Sequence, residues 1–472
     1  MKSTFKRALA LLLVCVMALA LVSCGKSDTQ SGGKDQAGTS TNSGSQTDSG
    51  SQSDSGSQTV NTKKHKIMVF TISSSSTMID AISGFLGSIA DELNFEYDVR
   101  YKGADASEYL SKVETAISEG YEGIICMKDE GNTNEIVALC EENGVYFGNT
   151  WNNQGSSLNT SAAGYAFLES PYFVGGVVDC TDSMSIEGAA YCKAVAEAYE
   201  KLPADKKDGS IGFVTMPPAW QPTHVPAVQT MYETLLNEYN IPESAFAVKG
   251  LEKRTEEMRY AGTPVAAGTY IWPSMDATSK KLESKYFDEN PNMSLLISTL
   301  AYTFINSGLD SANKLTSIKV WCTGFDNADA LINNFGTKGN GTYQGCRTAP
   351  IECIGMPLVQ ILDKLNGKSY ADKEAAIEGF GPLDDTNKFK YKGLQLKSSP
   401  TIVILNDEEM DAYLNHNVYG TGKGEDSVID AEFLKQYMVT YNENATYADL
   451  CEAFGENSTA MSMAAILEKA GK

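Results

Sequence analysis

Tryptophan and short polar side chains recur in this chain directly after apolar, strand-like runs. Three of the four tryptophans, Trp151, Trp220 and Trp272, stand in such positions. An aromatic ring packs against an apolar C–H face, and neighbouring amides and carboxylates pair with hydroxyl groups. Together these groups suit a neutral polyol such as a sugar. We predict all three tryptophans as ligand contacts, and the alternative for each one is a place in a packed core.

Polar residues after the other predicted strands extend this candidate site. In an open parallel α/β sheet, ligands bind beyond the carboxyl ends of the strands, where loops and helix N-termini present free donors. The candidates by this argument are Ser75, Asp129, Asn149, His224 and Asp326. The alternative for His224 is a solvated loop histidine. The alternative for Asp326 is to cap the helix that follows it.

The motifs of common hydrolases and nucleotide-binding enzymes are missing from the sequence. Only three histidines occur, His65, His224 and His416, without the paired spacing of a zinc hydrolase, and there is no GxSxG nucleophile motif. Gly367-Lys368-Ser369 looks like the end of a phosphate-binding loop, but Leu362 occupies the position of its first glycine. No CxxC pair indicates structural zinc. We predict no catalytic residue, no metal and no cofactor.

Strand-like and helix-like patterns alternate along residues 66–335 and would position these side chains. Residues 67–72 form a continuous apolar, β-branched run, as expected for a strand buried on both faces of a parallel sheet. Residues 78–93 then show helical spacing, with hydroxyl groups at 73–77 available for an N-cap. Further strands are predicted at 95–101, 123–127, 145–148, 172–178, 210–215, 245–249, 294–299 and 318–322. Further helices are predicted at 106–118, 134–142, 186–202, 225–239, 276–286, 304–315 and 329–335. This alternation predicts the α/β class, with two doubly wound α/β lobes in tandem.

The first 64 residues read as a leader and a tether. Positive charges precede an apolar run over 8–22 that is too short to cross a membrane, which is typical of a secretory signal peptide. Its end, Leu21-Val22-Ser23-Cys24, resembles the lipobox of bacterial lipoproteins. That resemblance implies removal of residues 1–23, a lipid on Cys24 and an extracytoplasmic protein anchored to the cell membrane. The alternative is an ordinary signal peptidase site with a chance cysteine. Residues 24–64 carry Ser/Gly/Gln-rich repeats, and as a flexible coil they would span about 35 Å.

The charge balance and the cysteines narrow the possible partners. The chain has 38 basic and 60 acidic residues, a net charge of -22, which disfavours nucleic acid and anionic lipid surfaces. Several cysteines, such as Cys126, occur within apolar runs, where a thiol behaves as a small buried hydrophobe. The cysteines beyond the tether are Cys126, Cys140, Cys180, Cys192, Cys322, Cys346, Cys353 and Cys451. Their spacing does not call for a disulfide.

Four sequence features, in their order along residues 66 to about 415, carry a family resemblance. They are the opening strand with its Ser/Thr-rich turn, AISEGYEGII at 116–125, VWCTGFD at 320–326, and a helix over 355–367 that ends in a Leu-Asn-Gly turn. In this order they resemble the type I periplasmic binding proteins, and among these the ribose- and galactose-binding group with its lipoprotein relatives. The family has two lobes joined by a three-stranded hinge, with crossovers that the resemblance places near 178–182, 341–348 and 398–403. It implies an N-terminal lobe of residues 65–180 plus 345–400 and a C-terminal lobe of 181–344 plus 401–472.

The resemblance also implies roles for single residues. Asp326 is similar in position to a family aspartate that accepts hydrogen bonds from sugar hydroxyls. After the second crossover the family carries a glutamine that faces the ligand, and Gln344, Arg347 or Thr348 can take that place here. At residues 149–151 this chain has NTW where many sugar binders have an Asp-Arg pair, and at 300–302 it has LAY where they have an asparagine. These departures imply a different specificity and a larger, more aromatic site.

Residues 424–472 extend beyond the usual end of the family. Amphipathic helices are predicted at 429–441, 447–454 and 461–470, with Met461, Ala464, Ile466 and Leu467 forming an apolar stripe. We expect these helices to cover the core of the second lobe. The alternative is an interaction surface for a permease or another partner.

These observations together predict a monomeric, lipid-anchored receptor that delivers a small ligand, a sugar, to the permease of an ABC importer. Within binding proteins, the alternative ligand is a nucleoside, an autoinducer or another polar metabolite. Outside them, the alternatives are a sensory lipoprotein that reports to a membrane kinase and, more remotely, a tethered hydrolase.

Overall fold

Strands and helices alternate along the computed structural model of the chain. It describes residues 63–127, 131–150, 167, 170–178, 183–215, 224–247, 269–271, 284–323, 333–372, 397–398, 400–455 and 457–472. The strands are β1 (His65–Thr71), β2 (Phe95–Tyr101), β3 (Gly123–Cys126), β4 (Tyr146–Asn149), β5 (Phe173–Val178), β6 (Ile211–Thr215), β7 (Thr269–Ile271), β8 (Leu295–Ala301), β9 (Lys319–Thr323), β10 (Tyr343–Thr348), β11 (Lys397–Ser398) and β12 (Ile402–Ile404). The helices are α1 (Ser76–Ile89), α2 (Ala106–Ser118), α3 (Thr133–Glu142), α4 (Ser183–Glu200), α5 (His224–Asn237), α6 (Ser284–Asp288), α7 (Tyr302–Ser311), α8 (Gly355–Leu365), α9 (Asp407–His416), α10 (Val418–Thr421), α11 (Ala431–Gln436), α12 (Tyr447–Ala453) and α13 (Met463–Lys469). Residues Thr59–Lys472 form one compact unit.

The first sheet consists of parallel strands in the order β11-β5-β4-β3-β1-β2. Because successive side chains of a strand point to opposite faces, the apolar run of β1 fills two separate cores. Ile67 and Val69 pack with α1, whereas Met68 and Phe70 pack with α2 and α3. Helix α8 returns to this sheet and contacts β3, β4 and β5. We call this sheet, with α1, α2, α3 and α8, the first lobe.

The second sheet has the strand order β12-β10-β9-β8-β6-β7, and β12 is antiparallel to β10. Its strands are also buried on both faces. Phe213, Ile297 and Trp321 pack with α4 and α5, whereas Val214 and Leu296 belong to the core on the opposite face. We call this sheet, with α4 to α7 and α9, the second lobe. The predicted α/β class, with two doubly wound lobes and a helical C-terminal extension, is confirmed.

The chain passes between the lobes beside the carboxyl ends of strands. It leaves the first lobe after Val178, returns to it after Thr348, and leaves again between Ser398 and Ile402. The last connection spans four residue steps, which reach at most about 14 Å when fully extended. Because Ile402 pairs with Thr348, β12 begins at the carboxyl end of β10. The carboxyl ends of the two sheets therefore lie next to each other at these connections.

Several elements of the second lobe differ from the sequence prediction. The described end of the helix predicted at 329–335 consists of turn residues and of Phe335, which makes a single bridge to Tyr343. The described part of 245–249 is not a strand, because Glu243–Ala245 forms a 3₁₀ turn and Phe246 makes a single bridge to Ile211. The outer strand is instead β7, beside β6. Residues 341–348, predicted as a crossover, are largely strand β10 of the second sheet, so the lobe boundary drawn at residue 345 falls inside a strand. A short apolar run cannot by its periodicity distinguish a strand from a buried turn.

The C-terminal extension packs mainly on the first lobe, which corrects the expectation that it covers the second. Leu434 and Phe454 lie against Gly355 at the start of α8. Val439 and Thr440 donate their backbone N–H groups to Asp363 of the same helix, at 2.8 and 2.9 Å. Helix α13, in contrast, contacts α9 and β12 of the second lobe. The amphipathic pattern predicts helices but does not tell which lobe their apolar faces meet.

The seven cysteines in the described part of the chain are all buried. Burial raises the pKa of the Cys140 and Cys192 thiols to about 12, so both stay protonated and unreactive at neutral pH. Within the described ranges, no helix is long and apolar enough to span a membrane. The same residues contain no group of three or more His, Cys, Asp or Glu side chains suited to a metal ion.

A buried glutamate follows the second connection between the lobes. Glu352 is 0% exposed, and its Oε2 has no hydrogen-bond partner in the described structure. Its Oε1 lies 3.2 Å from the Ser427 hydroxyl, which donates to Ile429 O at 2.8 Å. Burial raises the pKa of the Glu352 carboxyl above its ordinary value of 4.5. The folded chain therefore keeps this group protonated at pH values where the unfolded chain has already ionised it.

We expect Glu352→Gln to raise the thermal unfolding midpoint at about pH 8 and to change it little at about pH 4. As the pH rises above 4.5, the unfolded wild-type chain releases this proton first, so the wild-type free energy of unfolding falls, whereas an amide cannot ionise. Calorimetry over this pH range measures the difference. Glu352→Ala, which leaves a cavity, is the control and should be less stable at every pH. A difference between wild type and Glu352→Gln that does not grow with pH would contradict the assignment.

Candidate ligand-binding site

Threonine ends four strands at the two adjoining carboxyl edges. A branched Cβ fits an extended backbone, and a short hydroxyl can reach the loop that follows. Thr71 Oγ1 of β1, for example, donates to Ser73 O at 2.7 Å. The other three are Thr215 of β6, Thr323 of β9 and Thr348 of β10. The strand ends thus supply neutral hydroxyl groups to both edges.

Asn149 and Thr150 stand at the carboxyl end of β4, inside the first sheet. Their side chains are 1% and 0% exposed. Neither Asn149 Nδ2 nor Thr150 Oγ1 has a hydrogen-bond partner in the described structure. Leaving a buried polar group unpaired costs about 1–3 kcal/mol, so two adjacent ones are a substantial sacrifice of stability. A ligand that accepts from Nδ2 and pairs with Oγ1 would remove that cost.

A glycine pair in β5 makes room for this strand end. Gly175 and Gly176 pair with Gly148 and Asn149, just after a shift of register between β4 and β5. A Cβ atom on Gly176 would collide with Asn149 O, so glycine is what allows the two backbones to approach this closely. Register irregularities of this kind redirect neighbouring side chains and are frequent beside binding sites.

On the second edge, His224 begins α5 and joins a chain of hydroxyl groups. Its Nδ1 lies 3.0 Å from Thr299 Oγ1 of β8, which lies 2.9 Å from Thr215 Oγ1 and 3.5 Å from Val214 O. The side chains of His224, Thr299 and Thr215 are 5%, 1% and 0% exposed. Because a hydroxyl group both donates and accepts, Thr299 can pair with His224 Nδ1 and with Thr215 at the same time.

Ser75 and Arg347 also reach the edges. Ser75 occupies the N-cap position of α1, as the hydroxyl cluster predicted, but its half-buried side chain makes no capping hydrogen bond. Its hydroxyl is therefore not committed to the helix. Arg347 is 5% exposed and is the last residue but one of β10, in register with Thr323 and Val403. It places a buried positive charge beside the second connection between the lobes.

Gln344 is not at the carboxyl edge, which corrects its prediction as a ligand contact. It lies about 13 Å from Thr348 along β10, toward the amino end of the strand. Its Nε2 donates to Gly341 O at 2.8 Å, within the turn that leads into the strand. The prediction failed because the crossover from which it was counted falls after Thr348. The candidates Asp129, Trp151, Trp220, Trp272 and Asp326 lie outside the described residues.

Thr215 and Thr299 were missed as site residues by the sequence prediction. Their signal is the recurrence of threonine at the last positions of apolar runs, which strand propensity alone also explains. The remaining tryptophan, Trp321, is 2% exposed and packs in the core of the second lobe between β9 and the helices α4 and α5. Trp321 thus lies in a packed core, which is the alternative given above for Trp151, Trp220 and Trp272.

Several solved protein structures are similar to the structure of this chain. No protein-family model matches the chain, and no curated protein matches it. A sugar-binding protein of a sugar ABC transporter from Bacillus halodurans has a similar structure, with 15% identity over 74% of this chain and 100% of that one, at a TM-score of 0.45. A substrate-binding protein of a sugar ABC transport system from Bordetella parapertussis matches at 12% identity, 77% and 94% coverage and a TM-score of 0.46. The arabinose-binding protein AraP from Geobacillus stearothermophilus matches at 15% identity, 74% and 98% coverage and 0.46. At these identities and TM-scores, the three likenesses carry no argument about the class or the ligand of this chain.

Replacing Thr299 by valine should lower the free energy of unfolding by about 1–3 kcal/mol. The valine would leave His224 Nδ1 and Thr215 Oγ1 buried without their shared partner. Thr299→Ser keeps the hydroxyl and is the matched control, which should lose less stability. Urea denaturation of residues 59–472, followed by circular dichroism, measures both variants. Equal losses for valine and serine would contradict the hydroxyl chain.

Proposed function

We propose that this protein is an extracytoplasmic solute-binding protein of an ABC importer, and that it binds a sugar between its two lobes. The observation that carries the proposal is the pair of buried, unpartnered groups, Asn149 Nδ2 and Thr150 Oγ1, at the carboxyl end of β4. A parallel α/β sheet binds its ligands at this edge. A ligand hydroxyl there would both accept from the amide and pair with the threonine.

The described polar groups of the two edges favour a neutral polyol. Amide, hydroxyl and imidazole groups occur at Asn149, Thr150 and His224, and a sugar hydroxyl can pair with each of them because it both donates and accepts. Arg347 adds a multidentate donor that also serves sugar oxygens. We further propose Ser75, Asp129 and Asp326 as polar contacts. Trp151, Trp220 and Trp272 remain the proposed aromatic platforms for the apolar face of the ring.

The proposed mechanism is closure of the lobes around the ligand. A ligand that contacts both carboxyl edges binds the closed arrangement more tightly than an open one, and so shifts the population toward it by that difference in affinity. The permease of the importer would recognise this closed form. In this proposal the ligand is carried and not chemically changed.

A thermal-shift screen of residues 59–472 against sugars, nucleosides and amino acids tests the ligand. We expect at least one sugar to raise the unfolding midpoint, because a ligand at about 100 times its Kd stabilises the folded state by about 2.7 kcal/mol. Asn149→Ala should abolish that shift. The same variant should keep or raise the midpoint without ligand, because it removes an unpartnered buried amide.

The matched control for this screen is Asn143→Ala. Asn143 is an exposed asparagine at the C-terminus of α3, and its Nδ2 donates to Leu139 O at 2.8 Å, away from the carboxyl edge. This variant should retain the full ligand shift. If only nucleosides or amino acids raise the unfolding midpoint, the proposal of a sugar ligand is wrong. If Asn149→Ala binds the ligand with unchanged affinity, the proposed site is wrong. Neighbouring genes for a permease and an ATPase, rather than for a membrane kinase, would favour import over signalling.

We propose in addition that a lipid on Cys24 anchors the protein to the cell membrane. The support is the charged N-terminus, the apolar run over 8–22 and the lipobox-like residues 21–24. The repeats of residues 24–64, as a flexible coil with a root-mean-square length of about 35 Å, would then hold the lobes near the membrane while they reorient freely.

Cys24→Ser should move the protein from the membrane fraction to the soluble extracytoplasmic fraction and abolish labelling by radioactive palmitate. Cys15→Ser, in the leader that is removed, is the matched control and should remain lipidated. Palmitate labelling that persists in Cys24→Ser would place the lipid elsewhere.

A further inference from the structure

The C-terminal part of the chain crosses between the lobes twice more. Helix α9 belongs to the second lobe, where Asp407 accepts from the Thr337 backbone N–H at 3.1 Å and Asp411 pairs with Lys338. Residues 418–455 then lie on the first lobe. Helix α13 returns to the second lobe, where it contacts α9 and β12. The lobes are thus joined by these two passages as well as by the three beside the strand ends.

Close backbone contact fastens residues 418–455 to helix α1 of the first lobe. A Cβ atom on Gly84 would collide with the carbonyl oxygen of Gly422, and one on Gly424 would collide with the carbonyl oxygen of Gly84. These glycines allow two backbones to touch without intervening side chains. If one backbone slid along the other, neighbouring residues with side chains would enter the contact and separate the two surfaces.

Polar contacts fasten the same residues at three further places on the first lobe. Asp363 of α8 accepts from the Val439 and Thr440 backbone N–H groups and from Thr440 Oγ1. Asp372 accepts from the Tyr447 and Ala448 backbone N–H groups at 2.8 and 3.0 Å. Lys435 pairs with Glu92 at 2.9 Å, just beyond α1. The attachment therefore extends over the whole segment.

The apolar side chains of this segment are buried in a core that contains residues of both sheets. The buried members are Val418, Tyr419, Ile429, Leu434, Met438, Tyr447, Leu450, Cys451 and Phe454. The same core includes Val69 of β1 and Leu296 of β8. Separating the segment from the first lobe would expose this apolar surface to water.

The contact between residues 418–455 and α1 lies where it can restrict rotation of one lobe relative to the other. Two of the three connections beside the strand ends leave the first sheet at β5 and β11, which form one side of it. The third leads into α8, which contacts β3, β4 and β5. Helix α1 joins β1 to β2 and contacts β2, on the other side of the sheet. A rotation of the lobes about the connections at β5 and β11 would therefore move α1 relative to the second lobe. A segment tied to both resists that rotation.

We propose that residues 418–455 are a strap that runs from the second lobe across the first and limits how far the lobes can open. This inference rests on the proposed function only because the ligand would bind between the lobes. It predicts that the unliganded protein already holds a narrow range of lobe arrangements. Ligand binding then requires movement within that range and not a wide closure.

The test is the distance between the lobes, measured by electron–electron double resonance on the full-length protein in detergent without ligand. Spin labels at Glu114→Cys on α2 and Asp205→Cys after α4 occupy exposed positions of the two lobes. Cys180 is replaced by serine, because the seven cysteines in the described ranges are buried. We expect a single narrow distance distribution. Gly84→Ala should lengthen the mean distance by several ångströms and broaden the distribution.

Gly87→Ala is the matched control on the same helix. A Cβ atom there would meet the hydroxyl of Tyr97, the far end of a side chain, and not the strap. It should leave the distribution unchanged. Asp372→Ala releases the strap at α12 without altering α1, so it provides the test if Gly84→Ala does not fold.

A wild-type distribution as broad as that of the variants would overturn the strap, and so would folded Gly84→Ala and Asp372→Ala proteins with the wild-type distance. Because no ligand is present, these outcomes are independent of whether a sugar binds. Failure of the sugar screen with a narrow wild-type distance would overturn the proposed function alone.

Discussion

The short connection between β11 and β12 is the constraint on which the rest of the structure depends. Ser398 ends a strand of the first sheet, and Ile402 begins a strand at the carboxyl end of β10 in the second. Four residue steps cannot reach beyond about 14 Å, so the carboxyl edges of two separately folded sheets are kept adjacent. Each edge alone would be an ordinary end of a parallel sheet. Their adjacency allows one small ligand to contact both.

The polar groups at these edges differ in their hydrogen bonding between the two lobes. In the second lobe, His224, Thr299 and Thr215 are joined by hydrogen bonds. In the first lobe, Asn149 Nδ2 and Thr150 Oγ1 have no partner among the described residues, at a cost of about 1–3 kcal/mol each. A fold that needed only stability would place apolar residues there. Under the proposed function, this asymmetry leaves the second edge paired in advance and the first edge to be completed by the ligand.

Local patterns predicted the elements of this fold well, and failed where contacts join distant residues. The bounds of β2 and α2 were predicted correctly, because α2 has helical spacing and begins at Asp105, whose side chain accepts from the Glu108 N–H. Strand β10 was not recognised, because its sequence, YQGCRT, lacks an apolar run and is held by its neighbours on both sides. The pairing of Thr299 with Thr215 spans 84 residues, and periodicity within either strand contains no information about it. The same limit applies to the extension, whose apolar stripes were visible but whose partner was not.

The free energy gained by burying the side chains of residues 418–455 limits how far a bound ligand could rearrange the lobes. A micromolar ligand contributes about 8 kcal/mol of binding free energy, and burial of an aliphatic or aromatic side chain contributes about 1.5–3 kcal/mol. Leu434, Leu450 and Phe454, with the other side chains buried beside them, are together worth more than such a ligand. Under the proposed function, a ligand of this affinity would therefore leave residues 418–455 attached to the first lobe, and closure would take place with that contact intact. Movement of small amplitude leaves the free energy of binding available for affinity, because little of it is consumed in rearranging the protein.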